Sequence, residues 1–261
     1  MTPKDIQAIV AQIQAEDDAI RELLETDPNA AYTRANANLK RAKQTGNDEQ
    51  IMYCAFTLGL TALEHRPYPK LNEVLDAYKL ASKKALAIGN NQSYGGSQNN
   101  LGEVYRMLPS GDREENLKNA IDCYQNALRI RTEKDFPQDY AATQNSLGIA
   151  YADLPTGDRG ENLKYAIACY KNALRIFTEK DFSDKCVGTL YNLALAYDDL
   201  NDKQNAYETC AKAIKVLETR IRPFCHSVES RIALSKEELA KLYNQMVALC
   251  ISLGKTEEAI K

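Results

Sequence analysis

The chain repeats itself every 46 residues, and that period limits the fold more than any other feature. Gln98-Asn99-Asn100-Leu101-Gly102-Glu103-Val104-Tyr105 returns as Gln144-Asn145-Ser146-Leu147-Gly148-Ile149-Ala150-Tyr151. It returns again, more weakly, as Leu190-Tyr191-Asn192-Leu193-Ala194-Leu195-Ala196-Tyr197. A second block follows the first: residues 116–130 return 46 positions later as residues 162–176. The connections recur as well. Leu108-Pro109-Ser110-Gly111-Asp112-Arg113 matches Leu154-Pro155-Thr156-Gly157-Asp158-Arg159, and Thr132-Glu133-Lys134-Asp135-Phe136 matches Thr178-Glu179-Lys180-Asp181-Phe182. A period of this length marks one supersecondary unit stacked on the next.

Both blocks have helical spacing. Leu101, Val104, Tyr105 and Leu108 fall at i, i+3, i+4 and i+7, and Leu117, Ala120, Ile121, Tyr124, Ala127 and Leu128 form a similar stripe. Asp112 with Glu115, and Asp158 with Glu161, read as capping boxes that start each second helix. All eight prolines fall at inferred helix ends or in connections. The unit is therefore helix A, loop, helix B, loop, and the fold class is all-α. Gly102, Gly148 and Ala194 on helix A are expected to let helix B approach closely, with Ala120, Ala127, Ala166, Ala173, Ala206 and Ala213 opposite. One such hairpin cannot fold alone. Ordering a residue costs about 1–2 kcal/mol of backbone entropy, and a fully buried Leu returns only about 1.5–3 kcal/mol. Neighbouring hairpins must share their apolar faces, which builds an α-solenoid.

Weaker copies flank the clear ones. Ala55, Leu58 and Gly59 followed by Tyr78 and Ala85 read as a degenerate unit. Tyr243, Met246 and Val247 followed by Gly254 and Ala259 read as a last one, with Ser235 and Glu238 as its cap. Ahead of these, Ile6, Ile9, Val10, Ile13, Ile20, Leu23 and Leu24 mark an amphipathic helix, with a second helix from Pro28 to Lys43. The expected organisation is an N-terminal helical pair at 1–45, acting as a cap or a dimerisation segment, then an array at 46–261. Its units lie at about 46–90, 95–136, 141–182, 187–221 and 240–261. The last is cut after barely one turn of its second helix, which predicts that the chain is part of a longer protein.

The pattern Leu147, Gly148, Tyr151, then Ala166, Tyr170, Ala173 resembles the tetratricopeptide repeat, which has a large residue, Leu-Gly, Tyr, then Ala–aromatic–Ala at fixed offsets. The unit here is twelve residues longer than that 34-residue repeat, with six extra residues expected in the A–B loop and six between units. The third unit lacks the extra residues of the A–B loop. The resemblance implies a right-handed superhelix with a concave groove lined by A helices, which binds an extended peptide or a partner helix. With Gln144 as the fourth position, groove positions are the second, fifth, sixth, ninth, twelfth and thirteenth of each repeat. They include Asn99, Glu103 and Arg106, then Asn145, Ile149 and Asp153, then Tyr191, Asn192, Asp198 and Asp199. Asparagine amides hydrogen-bond a peptide backbone whatever its sequence, and the acids favour Lys or Arg on the partner. The alternative is that these side chains only form a solvated helix face. The family's clamp for a C-terminal carboxylate needs lysine at the fifth position, where Asn99, Asn145 and Tyr191 stand.

The wider pattern, with Gly-Asp-Arg-x-Glu-Asn-Leu, Ala-Ile-x-Cys-Tyr and Thr-Glu-x-Asp-Phe, is similar to repeats found ahead of CHAT domains, which are caspase-like proteases. Residues 242–250 and 257–259 are similar to the segment leading into such a domain. That likeness implies a region that senses or docks a partner and restrains an attached protease.

Charge and side-chain chemistry narrow the functional classes. The 33 basic and 36 acidic residues leave a net charge of −3 with no basic run, which argues against nucleic acid and anionic lipid as partners. No stretch of 18 apolar residues occurs, and no secretory leader follows Met1. The seven scattered cysteines read as reduced core residues of a cytoplasmic protein, with Cys123, Cys169 and Cys210 at one equivalent place on successive B helices. His65 and His226 are the two histidines, and the neighbours Cys225-His226 do not form the facing pair that thiol catalysis needs. The Gly-Asp-Arg loops lack the Gly-Lys-Ser/Thr ending of a phosphate loop and read as turns with helix caps. The expected function is a protein- or peptide-binding scaffold with no catalytic residue, cofactor or metal. The competing readings are a nucleic-acid-binding solenoid, an oligomerisation module, and an enzyme built on Cys225 and His226.

Overall fold

The structure, a computed structural model, describes residues 2–66 and 69–221, with Asn244, Val247, Ala248, Ile251 and Ser252 described singly. The expected cap at Ser235 and Glu238, the pair Cys225-His226 and nearly all of 240–261 lie outside the described residues.

Every regular element among the described residues is helical, and the helices come in pairs. They are α1 (Pro3–Thr26), α2 (Pro28–Thr45), α3 (Asp48–Leu63), α4 (Leu71–Ala87), α5 (Asn91–Met107), α6 (Arg113–Leu128), α7 (Pro137–Asp153), α8 (Arg159–Leu174), α9 (Ser183–Asp199) and α10 (Lys203–Val216). A π-helical turn at Leu217–Ile221 follows α10. The chain forms two compact units, Met1–Arg131 and Thr132–Lys261. In the first, α1 to α6 each pack on the next helix; in the second, α7 to α10 do the same. No helix among the described residues is long and apolar enough to cross a membrane.

Local chemistry sets where the helices start. Thr2 and Asp5 close a reciprocal capping box on α1. Pro3, Pro28 and Pro137 occupy first-turn positions, where a missing N–H costs nothing. Asn47, Asn90, Asp112, Asp158 and Asp202 cap with their side chains.

The recurring Gly-Asp-Arg segment closes the A–B turn with its own side chains and that of the Asn that follows. Gly111 and Gly157 sit at φ 84° and 81°, a conformation that side-chain-bearing residues rarely adopt. Asp112 accepts from the amides of Glu114 and Glu115, and Asp158 from that of Glu161. Arg113 donates to the carbonyl of Arg106, and Arg159 to that of Ala152, so each arginine caps the last turn of the preceding helix. Asn116 and Asn162 donate to the carbonyls of Ser110 and Thr156 at 2.9 and 2.8 Å. The A–B insertion is not all loop, as the spacing suggests. Residues 108–112 link α5 to α6 and residues 200–202 link α9 to α10. Four further residues add about one turn to the start of α6 and of α8.

The expected close approach at the small residues has a different cause. A Cβ at Gly102 would meet Tyr124 Cε1 at 2.5 Å, and one at Gly148 would meet Tyr170 Cε1 at 2.6 Å. The same holds in the degenerate unit, where a Cβ at Gly59 would meet Tyr78 at 2.7 Å. Each glycine is a notch filled by a fully buried tyrosine ring from helix B. In the α9–α10 hairpin the notch holds Ala194 and the filler is Cys210, both fully buried in one cluster. Cys210 therefore stands in the tyrosine place. It is not equivalent to Cys123 and Cys169, which precede the rings of Tyr124 and Tyr170. Burial pushes the thiol of Cys54 up to about 11 and those of Cys123 and Cys169 up to about 12.

Candidate functional site

The ten residues expected to line a groove lie on A helices: three on α5 in the first unit, and seven on α7 and α9 in the second. On α5, the spacing of Asn99, Glu103 and Arg106 puts them on one stripe. Arg106 Nη2 meets Glu103 Oε2 at 2.9 Å, and both side chains are about one-third exposed. The pair lies beside the buried Tyr124 hydroxyl, whose ionisation is pushed up first by burial and then by Glu103, with Arg106 opposing. Glu103 and Arg106 thus serve their own hairpin.

In the second unit α7 and α9 run side by side. Asn192 Nδ2 donates to Asn145 Oδ1 at 3.4 Å, so two expected groove amides meet. Ile149 packs against the α8–α9 cluster and Tyr191 against the α9–α10 cluster, each only partly buried. Leu195, at the ninth position between them, is 38% exposed. The acids are engaged by bases of this chain. Asp198 pairs with Lys203, and Asp199 Oδ2 meets Arg159 Nη2 at 2.5 Å. Asp153 is the last residue of α7 and is exposed. The charge expected to select Lys or Arg on a partner is therefore largely spent within the hairpins at this face.

A further opening lies between α1 and α3 of the first unit. It is an open groove of about 890 Å³. Ile13, Ile20, Leu24 and Phe56 form apolar wall, with Tyr53 56% exposed and Leu60 37% exposed. Asp17, Asp18, Arg21 and Glu49 supply its charge. Arg21 is held on Asp17 at 2.8 Å, and Asp17 also accepts from Thr57 at 3.4 Å. Asp18 and Glu49 have no ion-pair partner among the described residues.

The sequence carries a signal for this groove. With Gly59 as the eighth position of its unit, as Gly148 is of its own, the second, fifth, sixth and ninth positions are Tyr53, Phe56, Thr57 and Leu60. All four line the opening. The other wall, α1, follows no repeat register, so only its apolar stripe at Ile13, Ile20 and Leu24 marks it.

Among the described residues no three His, Cys, Asp or Glu side chains gather at metal-binding distance. His65 stacks edge-on against Tyr32 at 5.3 Å, in an aromatic and charged cluster with Lys70 over the same ring.

Residues 187–216, which are α9 and α10 almost whole, match the tetratricopeptide repeat family. The match falls on the hairpin whose A–B turn lacks the insertion, because the longer turns break the register of the 34-residue unit. No curated protein is significantly similar to the chain in sequence. Solved structures are similar in fold. BtubC (BKLC) from P. vanneervenii shares 20% identity at a TM-score of 0.63, over 89% of this chain and 88% of that one. A thermophilic tetratricopeptide protein of Thermus thermophilus shares 19% at a TM-score of 0.52, over 90% and 99%. The assembly chaperone of RpL4 (Acl4), residues 1–338, shares 15% at a TM-score of 0.63, over 95% and 86%.

Proposed function

We propose that this chain, which carries a tetratricopeptide repeat and has the fold of tetratricopeptide-repeat proteins, is a scaffold that holds segments of partner proteins along its A helices and performs no chemistry of its own. The observation that carries the reading is the ninth position of the unit. Leu60 on α3 and Leu195 on α9 stay more than one-third exposed there, while Leu58 and Leu193, two residues earlier on the same helices, are buried. A large apolar side chain repeated at one exposed place on an A helix is a contact waiting for a partner. One neighbour in fold is an assembly chaperone of RpL4, and holding another protein is the task assigned here as well.

In its narrower form the scaffold is the sensor region of a larger effector, and the contact residues include Asn99, Glu103, Arg106, Asn145, Ile149, Asp153, Tyr191, Asn192, Asp198 and Asp199. The five free cysteines among the described residues, four of them buried, suit the reducing cytoplasm. Asn145→Ala combined with Asp198→Lys breaks the amide contact and reverses the charge opposite Lys203. The expected result is capture of the partner weakened about tenfold, with the helical melting curve within about 2 °C of the parent. Unaltered capture would remove the α7–α9 face from the docking surface.

A further inference from the structure

The two exposed A-helix faces differ in how their polar groups are used, and the difference names a guest for one of them. At α7 and α9 the asparagines face each other and Asp198 and Asp199 are already paired. At the α1–α3 groove the fifth position is Phe56, so the amide that reads a peptide backbone is replaced by an apolar ring. Gln14 and Gln50 keep amides in the lining, and the rest of the recognition there goes through apolar packing and charge. The apolar wall accepts non-polar side chains. The charged groups left over are Asp18 and Glu49, because the one cation of the lining, Arg21, is occupied by Asp17. The groove's volume of about 890 Å³ lies at the upper end of ordinary ligand sites, enough for several side chains of a single segment and too little for a folded domain.

We propose that the α1–α3 groove seats an amphipathic segment of another protein, with apolar side chains against Tyr53, Leu60 and Leu24 and a Lys or Arg at its edge facing Asp18 and Glu49. This assignment rests on the scaffold reading and adds the partner's chemistry. Desolvated contact with the apolar wall supplies most of the affinity. The carboxylates contribute a smaller, salt-sensitive share, since each pair sits at the solvent edge.

The test uses the full chain and three labelled 14-residue helical peptides: one of Leu and Lys, one of Leu and Glu, and one of Ser and Lys. The Leu/Lys peptide is expected to bind at least tenfold more tightly than the other two by fluorescence anisotropy. Asp18→Asn with Glu49→Gln should weaken it three- to tenfold and flatten its salt dependence. Tyr53→Ser with Leu60→Ser should weaken it tenfold or more. All four positions are exposed, and melting curves of both variants confirm an intact fold. Equal binding of the Leu/Glu peptide, or an unchanged affinity and salt slope in the charge variant, overturns the proposal. So does a dimer in sedimentation that Tyr53→Ser dissociates, since a second copy would then fill the groove. The Asn145→Ala, Asp198→Lys protein separates the two readings. If it still loses partner capture while the peptides fail, only this groove's assignment falls. If the peptides behave as expected while capture is unaffected, the α7–α9 face falls instead.

Discussion

The α7–α8 and α9–α10 hairpins are neighbours in one unit and solve the same packing problem with different parts. In the first, the Tyr170 ring enters the notch that Gly148 leaves open. In the second, Ala194 closes the notch and Cys210 replaces the ring. Ala166 and Ala173 in one, and Ala206 and Ala213 in the other, are fully buried at equivalent places. What is held constant is therefore the place, a small residue on helix A against a buried side chain of helix B, and not the identity of either residue. The tyrosine version also occurs at Gly102–Tyr124 and Gly59–Tyr78, so the cysteine version is the departure.

Exchanging parts between the two hairpins tests that comparison. The largest effect should come from Tyr170→Ala, which empties the notch and leaves a cavity the backbone cannot collapse into. We expect a loss of about 3–5 kcal/mol in denaturant melting. Gly148→Ala should cost about 1–3 kcal/mol, because the new methyl lies 2.6 Å from a ring with nowhere to move. Made on top of Tyr170→Ala, the same change should cost nothing and add about 0.5–1 kcal/mol from helix propensity. Simple additivity of the two would mean that notch and ring are independent. Ala194→Gly should cost about 2 kcal/mol, about 1 from propensity and about 0.8 from the buried methyl it removes; a loss above about 3 kcal/mol would break the equivalence of the two hairpins.

The smallest effect is that of mildly alkaline pH, up to about 8. The folded state raises the thiol ionisation of Cys54, Cys123 and Cys169, so the unfolded chain releases those protons first. Stability from this source is complete below the unfolded thiol value and falls as pH rises towards 11–12. At pH 8 the loss is about 0.5 kcal/mol in all, and it steepens above pH 9. Unfolding midpoints measured from about pH 7 to 8 check the direction; a midpoint that rises with pH would contradict it.

Much of this is legible in the residues. The period, the paired helices and the proline and Asp caps are local properties, carried by spacing and by single side chains. The tetratricopeptide pattern is also legible, and the α9–α10 match bears out that family reading. The notch is harder to read, because a glycine in a helix says only that something comes close. What comes close, a ring 22 residues later, depends on the packing of two helices. The insertion reads as loop because spacing counts residues without saying which continue a helix. The acids of α9 look available in the sequence because Lys203 and Arg159 become their partners only when the hairpins fold and α8 and α9 lie together. The groove at α1 and α3 is only half visible, because one of its walls carries no repeat register at all.

The Gly-Asp-Arg turn bears on how each hairpin of such an array holds its shape. Its capping aspartate, carbonyl-binding arginine and loop-tying asparagine reach backbone groups within eleven residues of one another, and Arg159 also reaches Asp199 on α9. A turn closed in this way sets the angle between its two helices chiefly from within one hairpin. A 46-residue unit whose inner angle is fixed this way carries the geometry of its own hairpin with it at every place it occupies in the array.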